Sequence, residues 1–409
     1  MHNMDARPTA REPSDGSGRL YYLDWIRVIA VLGVFVYHTA QPFDVVEFSI
    51  KNAEQSGVLT ALYGFLYPFG MPLFFLVAGI GSWLSLQHRS ARSYMLERIS
   101  RLLVPFVAGS ALLTPISFYF EARHMGWFAG SFLDWLGQPR TIVSLLASSR
   151  PTTLGPLLFG TVGGHLWFVG YLFIYALLAL PVFLWLKQGT GLRFLDWLGR
   201  LGEVRGGLLL FAVPIVVMRL ILQPYFPESR DWAEFVFMWL FFVAGYVIWA
   251  DKRLQEAVGR DWRLMLVVAI ASYAVLMPAS VRGVVLDWMV TPGTAGFVLF
   301  WAAFSLSGWC WCIYLLCGAM RRLDFDNGWL QYWRAAGIPF YVLHHPVVII
   351  IAYYVVQWQA SLWLKLVVVL VGTFVVTLAL YELLIRRVKL LGQLFGMKGL
   401  HERASNHWL

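Results

Sequence analysis

The sequence predicts an all-α fold, a polytopic transmembrane helical bundle of about ten spans with both termini in the cytoplasm, and three observations predict it. Of 409 residues, 59% are hydrophobic and only 13% are charged, too few charges for the surface of a soluble protein of this size. Apolar runs of about 20 residues recur along the chain, the length a helix needs to cross the hydrocarbon layer, and the alternating pattern of a β-barrel is absent. Basic residues gather in alternate connections, the pattern that orients membrane helices.

In chain order the expected spans are 22–40, 58–86, 102–122, 165–187, 206–222, 233–250, 264–281, 294–320, 338–356 and 362–385. The first carries Arg27 and His38 and runs into Gln41-Pro42-Phe43, with no small-residue cleavage site, so it reads as a retained span rather than a signal peptide. The second and eighth are too long for one straight crossing, which calls for tilt or a re-entrant stretch. The third follows the basic run Glu97 to Pro105, and the fourth opens at Gly163-Gly164-His165-Leu166-Trp167-Phe168. The fifth holds Arg219 four residues before Gln223-Pro224, and the eighth holds all three cysteines, Cys310, Cys312 and Cys317. These read as buried thiols acting as small hydrophobes, with no disulfide framework and no metal cluster. The ninth contains His344-His345-Pro346, and the tenth ends at Tyr381 and Glu382, an interface anchor and a partner for Arg386 at i, i+4.

Loop charges fix the orientation. One set of segments holds Arg7, Arg11 and Arg19; Arg89, Arg92, Arg98 and Arg101; Lys187, Arg193, Arg200 and Arg205; Lys252, Arg253, Arg260 and Arg263; Arg321, Arg322 and Arg334; and Arg386, Arg387, Lys389, Lys398 and Arg403. The other holds only Lys51, Arg123, Arg140, Arg150, Arg230, Arg282 and Lys365. An error of one span would scramble this alternation downstream, so the count is even and both ends lie inside. Residues 1–19 read as a disordered cytoplasmic tail, 20–389 as one membrane domain and 390–409 as a cytoplasmic C-terminal tail. The net charge of +9 is spent on topology rather than on a phosphate-tracking patch, so no nucleic-acid partner is expected. The longest outer connection, from about Arg123 to Gly164, is irregular in composition, as functional loops often are.

Ionisable residues inside a bilayer are costly and usually face a protein interior or a wet cavity. Arg27 and His38 lie about 16 Å apart along a helix at 1.5 Å per residue. A cation near the inner end and a base in the outer half suit a reaction whose substrates arrive from opposite sides. A neutral imidazole takes a proton from an attacking hydroxyl, or itself attacks an activated acyl group. His38 reads equally as an interior histidine bonding a neighbouring helix, and Arg27 as a snorkelling side chain or a partner for Asp24. Arg98 and Arg101 share one helix face, where two guanidinium forks suit a phosphate-bearing donor or serve ordinary topology. His165 and Trp167 open the fourth span, Trp167 also fitting an interfacial anchor. His344 and His345 cannot both face lipid, so at least one is a candidate cavity-lining residue, and their adjacency does not make a metal pair. Arg219 fits a side chain snorkelling outward.

Taken together, Arg27-x10-His38, Pro72-Leu73-Phe74-Phe75-Leu76-Val77-Ala78-Gly79, Arg98-x-x-Arg101 with Leu102 and Pro105, and His165-Leu166-Trp167-Phe168 resemble the acyltransferase-3 family of integral membrane acyltransferases over about Tyr21 to Arg387. Within it, Tyr21 to Arg27, Phe242-Val243-Ala244-Gly245-Tyr246 and Leu343-His344-His345-Pro346 resemble the branch labelled glucan biosynthesis protein C, associated with succinylating periplasmic glucans. The resemblance implies that His38 is the catalytic histidine with Arg27 its motif partner, and that Arg98 and Arg101 contact the phosphates of acyl-CoA. It implies a bacterial inner-membrane O-acyltransferase that moves an acetyl or succinyl group from acyl-CoA, a co-substrate, to a hydroxyl of an extracytoplasmic carbohydrate, with no bound cofactor and no metal. A transporter or flippase that moves a glycan or lipid without acyl transfer is the alternative, and a non-catalytic membrane sensor is a further one.

Overall fold

A computed structural model of the protein describes residues 19–137, 163–227, 230–281 and 285–397, without side chains for 278–286. Most of both predicted tails and of the long 123–164 connection lie outside the described residues. Among the described residues the chain is helical, with no strand. The α-helices are α1 (Tyr21–Ala40), α2 (Gly57–Leu66), α3 (Gly70–His88), α4 (Ala91–Arg98), α5 (Val104–His124), α6 (Phe132–Leu136), α7 (Trp167–Leu186), α8 (Gly189–Glu203), α9 (Ala212–Leu222), α10 (Trp232–Ala250), α11 (Lys252–Arg260), α12 (Trp262–Val281), α13 (Val285–Val290), α14 (Ala295–Arg322), α15 (Gly328–Val355), α16 (Leu362–Leu380) and α17 (Lys389–Leu394). Eight helical segments are long and apolar enough to span a membrane, and two shorter apolar ones, Gly207–Leu222 and Trp262–Met277, complete the expected set of about ten.

Local chemistry explains where the helices begin. Ser90, Ser131, Asp231, Asp251, Thr294, Asn327 and Ser361 each accept a backbone N–H of the turn that follows, a cap worth about 1 kcal/mol. The long second span is broken at Tyr67-Pro68-Phe69 between α2 and α3, where proline removes a donor, whereas the eighth is one unbroken helix of 28 residues. Leu364, Val367, Val371 and Val375 are exposed at spacings of three and four, one apolar stripe along α16 that suits lipid.

Contacts between connections separate two ends of the bundle. At one, which we call the basic end, the Tyr21 N–H donates to Asp324, Trp25 donates to the Phe325 carbonyl, and Lys187 Nζ donates to the Leu86 carbonyl at 2.6 Å. At the far end, Lys51 donates to the Gln41 and Asp44 carbonyls, and Lys365 bridges Asn52 and the Val356 carbonyl. Arg19 and Met397, near the limits of the described chain, line the same cavity and so share the basic end.

Three packed groups of buried side chains result, the smallest joining Phe43, Ile50 and Leu59 to Val348, Ile349 and Val369 at the far end; the other two matter for the site. The larger is built on α3, α7, α10 and α14, the smaller on α1, α5 and α15. The closest helix crossing joins α3 to α10. A Cβ added at Gly79 would fall on the Phe242 carbonyl, and one added at Gly245 would fall on the Leu76 carbonyl. Small residues that let backbones approach are a main source of helix association in lipid. Gly79→Leu or Gly245→Leu is therefore expected to destabilise by at least about 1–3 kcal/mol, because neither carbonyl can move aside. Thermal melting of the detergent-solubilised protein should show the loss. Gly33→Ala, with nothing within 4 Å of an added Cβ, should melt like the parent.

Candidate active site

A cavity of about 790 Å³ opens in the seam between the two larger packed groups, within the usual range for a ligand site. Its walls include six arginines, Arg19, Arg27, Arg98, Arg101, Arg334 and Arg386, against one carboxylate, Asp24. Asp24 is buried and shared, at 2.9 Å from Arg19, 3.2 Å from Arg27 and 3.6 Å from Arg334. The pairing of Arg27 with Asp24 expected from their spacing is present, and the pair faces the cavity. Gly81 makes the space, because an added Cβ there would stand 2.8 Å from Arg27 Nη2.

Arg98 immediately precedes, and Arg101 lies within, a π-helical turn, Ile99–Leu103, that joins α4 to α5, and both line the cavity. Such wide turns recur at functional sites because they re-aim side chains without ending the helix. The Arg98 guanidinium lies over the Tyr94 ring at 4.7 Å, and the Tyr94 hydroxyl donates to Ser82 on α3 at 2.9 Å. Arg101 approaches Glu97 at 3.7 Å, and Glu97 also binds Arg89. Arg386 pairs with Glu382 at 2.9 Å, the predicted i, i+4 contact. The cavity therefore carries a surplus of guanidinium donors suited to a polyanion.

Toward its deep end the lining turns apolar, with Phe74, Phe168, Val169 and Tyr341. Phe168 packs against Phe74 at 5.2 Å and against Tyr341 at 5.9 Å between ring centroids. The Tyr341 hydroxyl donates to the His165 carbonyl at 2.7 Å, and His165 Nε2 bonds the Val342 carbonyl at 2.9 Å, a reciprocal clasp between the start of α7 and α15. His38, His165, Trp167, His344 and His345 do not line this cavity. Trp167 instead packs edge-on against Tyr171 at 5.2 Å.

Beyond Tyr341 the four histidines gather into one cluster. The His38 ring lies 5.4 Å from His344 and 4.8 Å from His345, and His345 stacks on His165 at 4.6 Å. His38 and His345 are half-buried, while His165 and His344 are buried. His38 Nδ1 lies 2.6 Å from Gln41 Oε1, and Gln41 Nε2 donates to the Tyr37 hydroxyl at 3.0 Å. With the amide oxygen facing the ring, Nδ1 carries the proton and Nε2 is left as the basic nitrogen. Lys51 Nζ donates to the backbone carbonyl of Gln41 at 2.6 Å, so the far-end loop holds the main chain of this residue. His344 Nδ1 bonds the Tyr341 carbonyl at 2.7 Å, leaving its Nε2 buried without a partner, as is His345 Nδ1. Among the described residues no group of three His, Cys, Asp or Glu side chains is placed to hold a metal ion.

Three placements were not read from the sequence. Gln41 sits three residues after His38, a spacing that itself signals a shared helix face. Arg19, Arg334 and Arg386 join the cavity from segments read there as loop charge. Arg219 does not snorkel: it is 4% exposed and lies over Trp301 at 4.2 Å and Phe237 at 5.2 Å. Glu234, buried on α10, is bonded to the Arg230 N–H rather than paired with this guanidinium.

A helical bundle with a basic cavity at one end and an imidazole cluster beyond its apolar wall has the two features an integral membrane enzyme of polar substrates needs. The chain belongs to the acyltransferase domain family, whose model matches residues 20–382, and it is a membrane acyltransferase. It is similar to proteins called glucans biosynthesis protein C from Escherichia coli O139:H28 and Escherichia coli K12, each 22% identical over 402 residues, covering 95% of this chain and 97% of theirs. No solved structure matches it significantly.

Gln41 is expected to act through His38. Gln41→Leu should lower turnover by about 10- to 100-fold, the scale seen when an outer partner of a functional histidine is removed, while Gln41→Glu restores an acceptor and retains most activity. Steady-state acyl transfer by the purified variants checks this.

Proposed function

We propose that the protein is a bacterial inner-membrane O-acyltransferase that moves an acetyl or succinyl group from cytoplasmic acyl-CoA to a hydroxyl of an extracytoplasmic carbohydrate, such as a periplasmic glucan. The observation that carries this reading is the arrangement around Tyr341: an arginine-rich cavity from the basic end stops on one side of it, and the His38 cluster stands on the other. The positive-inside pattern makes the basic end cytoplasmic. Arg98 and Arg101, with the other cavity arginines, would hold the phosphates of the donor by bidentate charge-assisted bonds. The carbohydrate acceptor follows from the similarity to the glucans biosynthesis proteins.

The donor's pantetheine arm has to pass Tyr341 to reach His38. Tyr341 lies between Pro339 and Pro346 in α15, and each proline removes one helix hydrogen bond, so this is the segment of the helix that yields most cheaply. His38 Nε2 then takes the proton of the acceptor hydroxyl as its oxygen attacks the thioester carbon. The C–S bond breaks as the C–O bond forms, and the imidazolium returns the proton to the departing thiolate. In the variant route, Nε2 itself takes the acyl group and passes it to the hydroxyl. Either route leaves CoA as free thiol, and the thioester supplies the driving force.

His38→Ala is expected to lower transfer by at least about 10²–10⁴-fold with membrane insertion intact. Labelled acyl-CoA, a glucan acceptor and protein in nanodiscs provide the assay, and unaltered acylation would remove His38 from the mechanism. Arg98→Ala and Arg101→Ala should each raise the donor KM about tenfold or more, since each removes a charge-assisted contact of about 1.5–3 kcal/mol. The acceptor KM should stay put.

A further inference from the structure

We propose that the half-buried tyrosine ladder Tyr37–Tyr63–Tyr67, ending at Glu234 and Arg219, seats the sugar rings of the acceptor. This rests on the carbohydrate reading given above and assigns it a place in the fold. Tyr37 precedes His38 on α1, and their rings lie 5.0 Å apart. Tyr63 on α2 stacks on Tyr37 at 5.3 Å and 24°, and Tyr67, at the break before α3, stacks on Tyr63 at 5.2 Å and 22°. All three are half-buried. An offset stack presents stepped ring faces and hydroxyl edges together, the surface that the C–H faces and hydroxyls of a sugar complement.

The inner end of the ladder carries the second observation. Tyr67 meets Phe304 at 5.5 Å, and the Arg219 guanidinium lies among Trp301, Phe237 and Phe304. Arg219 is 4% exposed, and its Nε and Nη1 have no hydrogen-bond partner. Burying guanidinium donors unsatisfied is costly, which is the expected state of a site that waits for acceptor atoms. Phe304 lies against both that guanidinium and the Tyr67 ring, and Glu234 is buried on the same helix as Phe237. A donor, an acceptor and an aromatic edge side by side match a hydroxyl-rich ring. An acetyl tail offers nothing to Arg219 or Glu234, and a succinyl tail, whose carboxylate would suit Arg219, would be repelled by Glu234.

Arg230 links this end to the chemistry. It is the only non-glycine among the described residues with left-handed backbone, at φ 65°. Its N–H donates to Glu234 Oε2, and its carbonyl accepts from the Tyr171 hydroxyl. The Gln41 amide, bonded to both His38 and the Tyr37 hydroxyl, ties the first rung to the base. A sugar on the ladder would thus present a hydroxyl next to His38, opposite the arginine cavity.

The test uses the full chain in nanodiscs, with a radiolabelled linear glucose hexamer as probe, equilibrium dialysis for sugar binding and a parallel titration of acyl-CoA. Tyr63→Ala and Tyr67→Ala should weaken hexamer binding at least tenfold while acyl-CoA binding stays within twofold, which also shows that the variants are folded. Should either lose donor binding as well, Tyr63→Phe and Arg219→Lys replace them, with an expected three- to tenfold loss of sugar binding. Hexamer binding that is undetectable in the parent, or equal in parent and folded variants, overturns the assignment. A hexamer held through the ladder but never acylated leaves the site standing and refutes the carbohydrate acyltransferase reading. Acylation with an unchanged acceptor KM in the variants does the reverse.

Discussion

The contact on which most of this structure depends is one of backbone on backbone: Gly79 of α3 against the Phe242 carbonyl and Gly245 of α10 against that of Leu76. In lipid there is no hydrophobic gain from bringing helices together, so dispersion between closely fitted surfaces has to do it. The crossing places both chambers. On the basic side α3 contributes Phe74, Ala78, Gly81 and Ser82, and α10 contributes Phe242, to one wall of the cavity. On the far side the same pair delivers Tyr67 just before α3 and Glu234 near the start of α10. The motifs ending in Val-Ala-Gly on the two helices are thus halves of one joint.

Electrostatics then divides the interior. Arginines crowd the basic cavity, and one buried carboxylate, Asp24, holds three of them in place without neutralising the rest. Immediately around His38 the side chains are imidazoles, a tyrosine and an amide, which exchange protons and hydrogen bonds rather than bind a polyanion. That contrast suits a charged donor on one side and a neutral hydroxyl-bearing acceptor on the other. Tyr341, clasped to His165 and set between two prolines, is the partition.

Much of the architecture was legible because lipid makes it so. Apolar length and alternating loop charge marked the spans, and the pairs Asp24–Arg27 and Glu382–Arg386 followed from helical spacing. Arg98 and Arg101 share the cavity as their spacing implied, although Arg101 sits in a π-helical turn. What stayed hidden depends on contacts between distant segments. Arg219 reads as a snorkelling side chain until Trp301 and Phe237 arrive from other helices. The four histidines were visible one at a time, but no local pattern joins α1, α7 and α15 around them. Trp167 drew attention through its neighbours and turned out to pack on Tyr171.

The most direct test of the central claim is sidedness. Protein would be reconstituted in one orientation in sealed vesicles, with radiolabelled acyl-CoA confined to the compartment that faces the arginine cavity and a glucan only in the other. The account requires label to appear on the glucan across an intact bilayer. Transfer that occurs only when donor and acceptor share a compartment would contradict it.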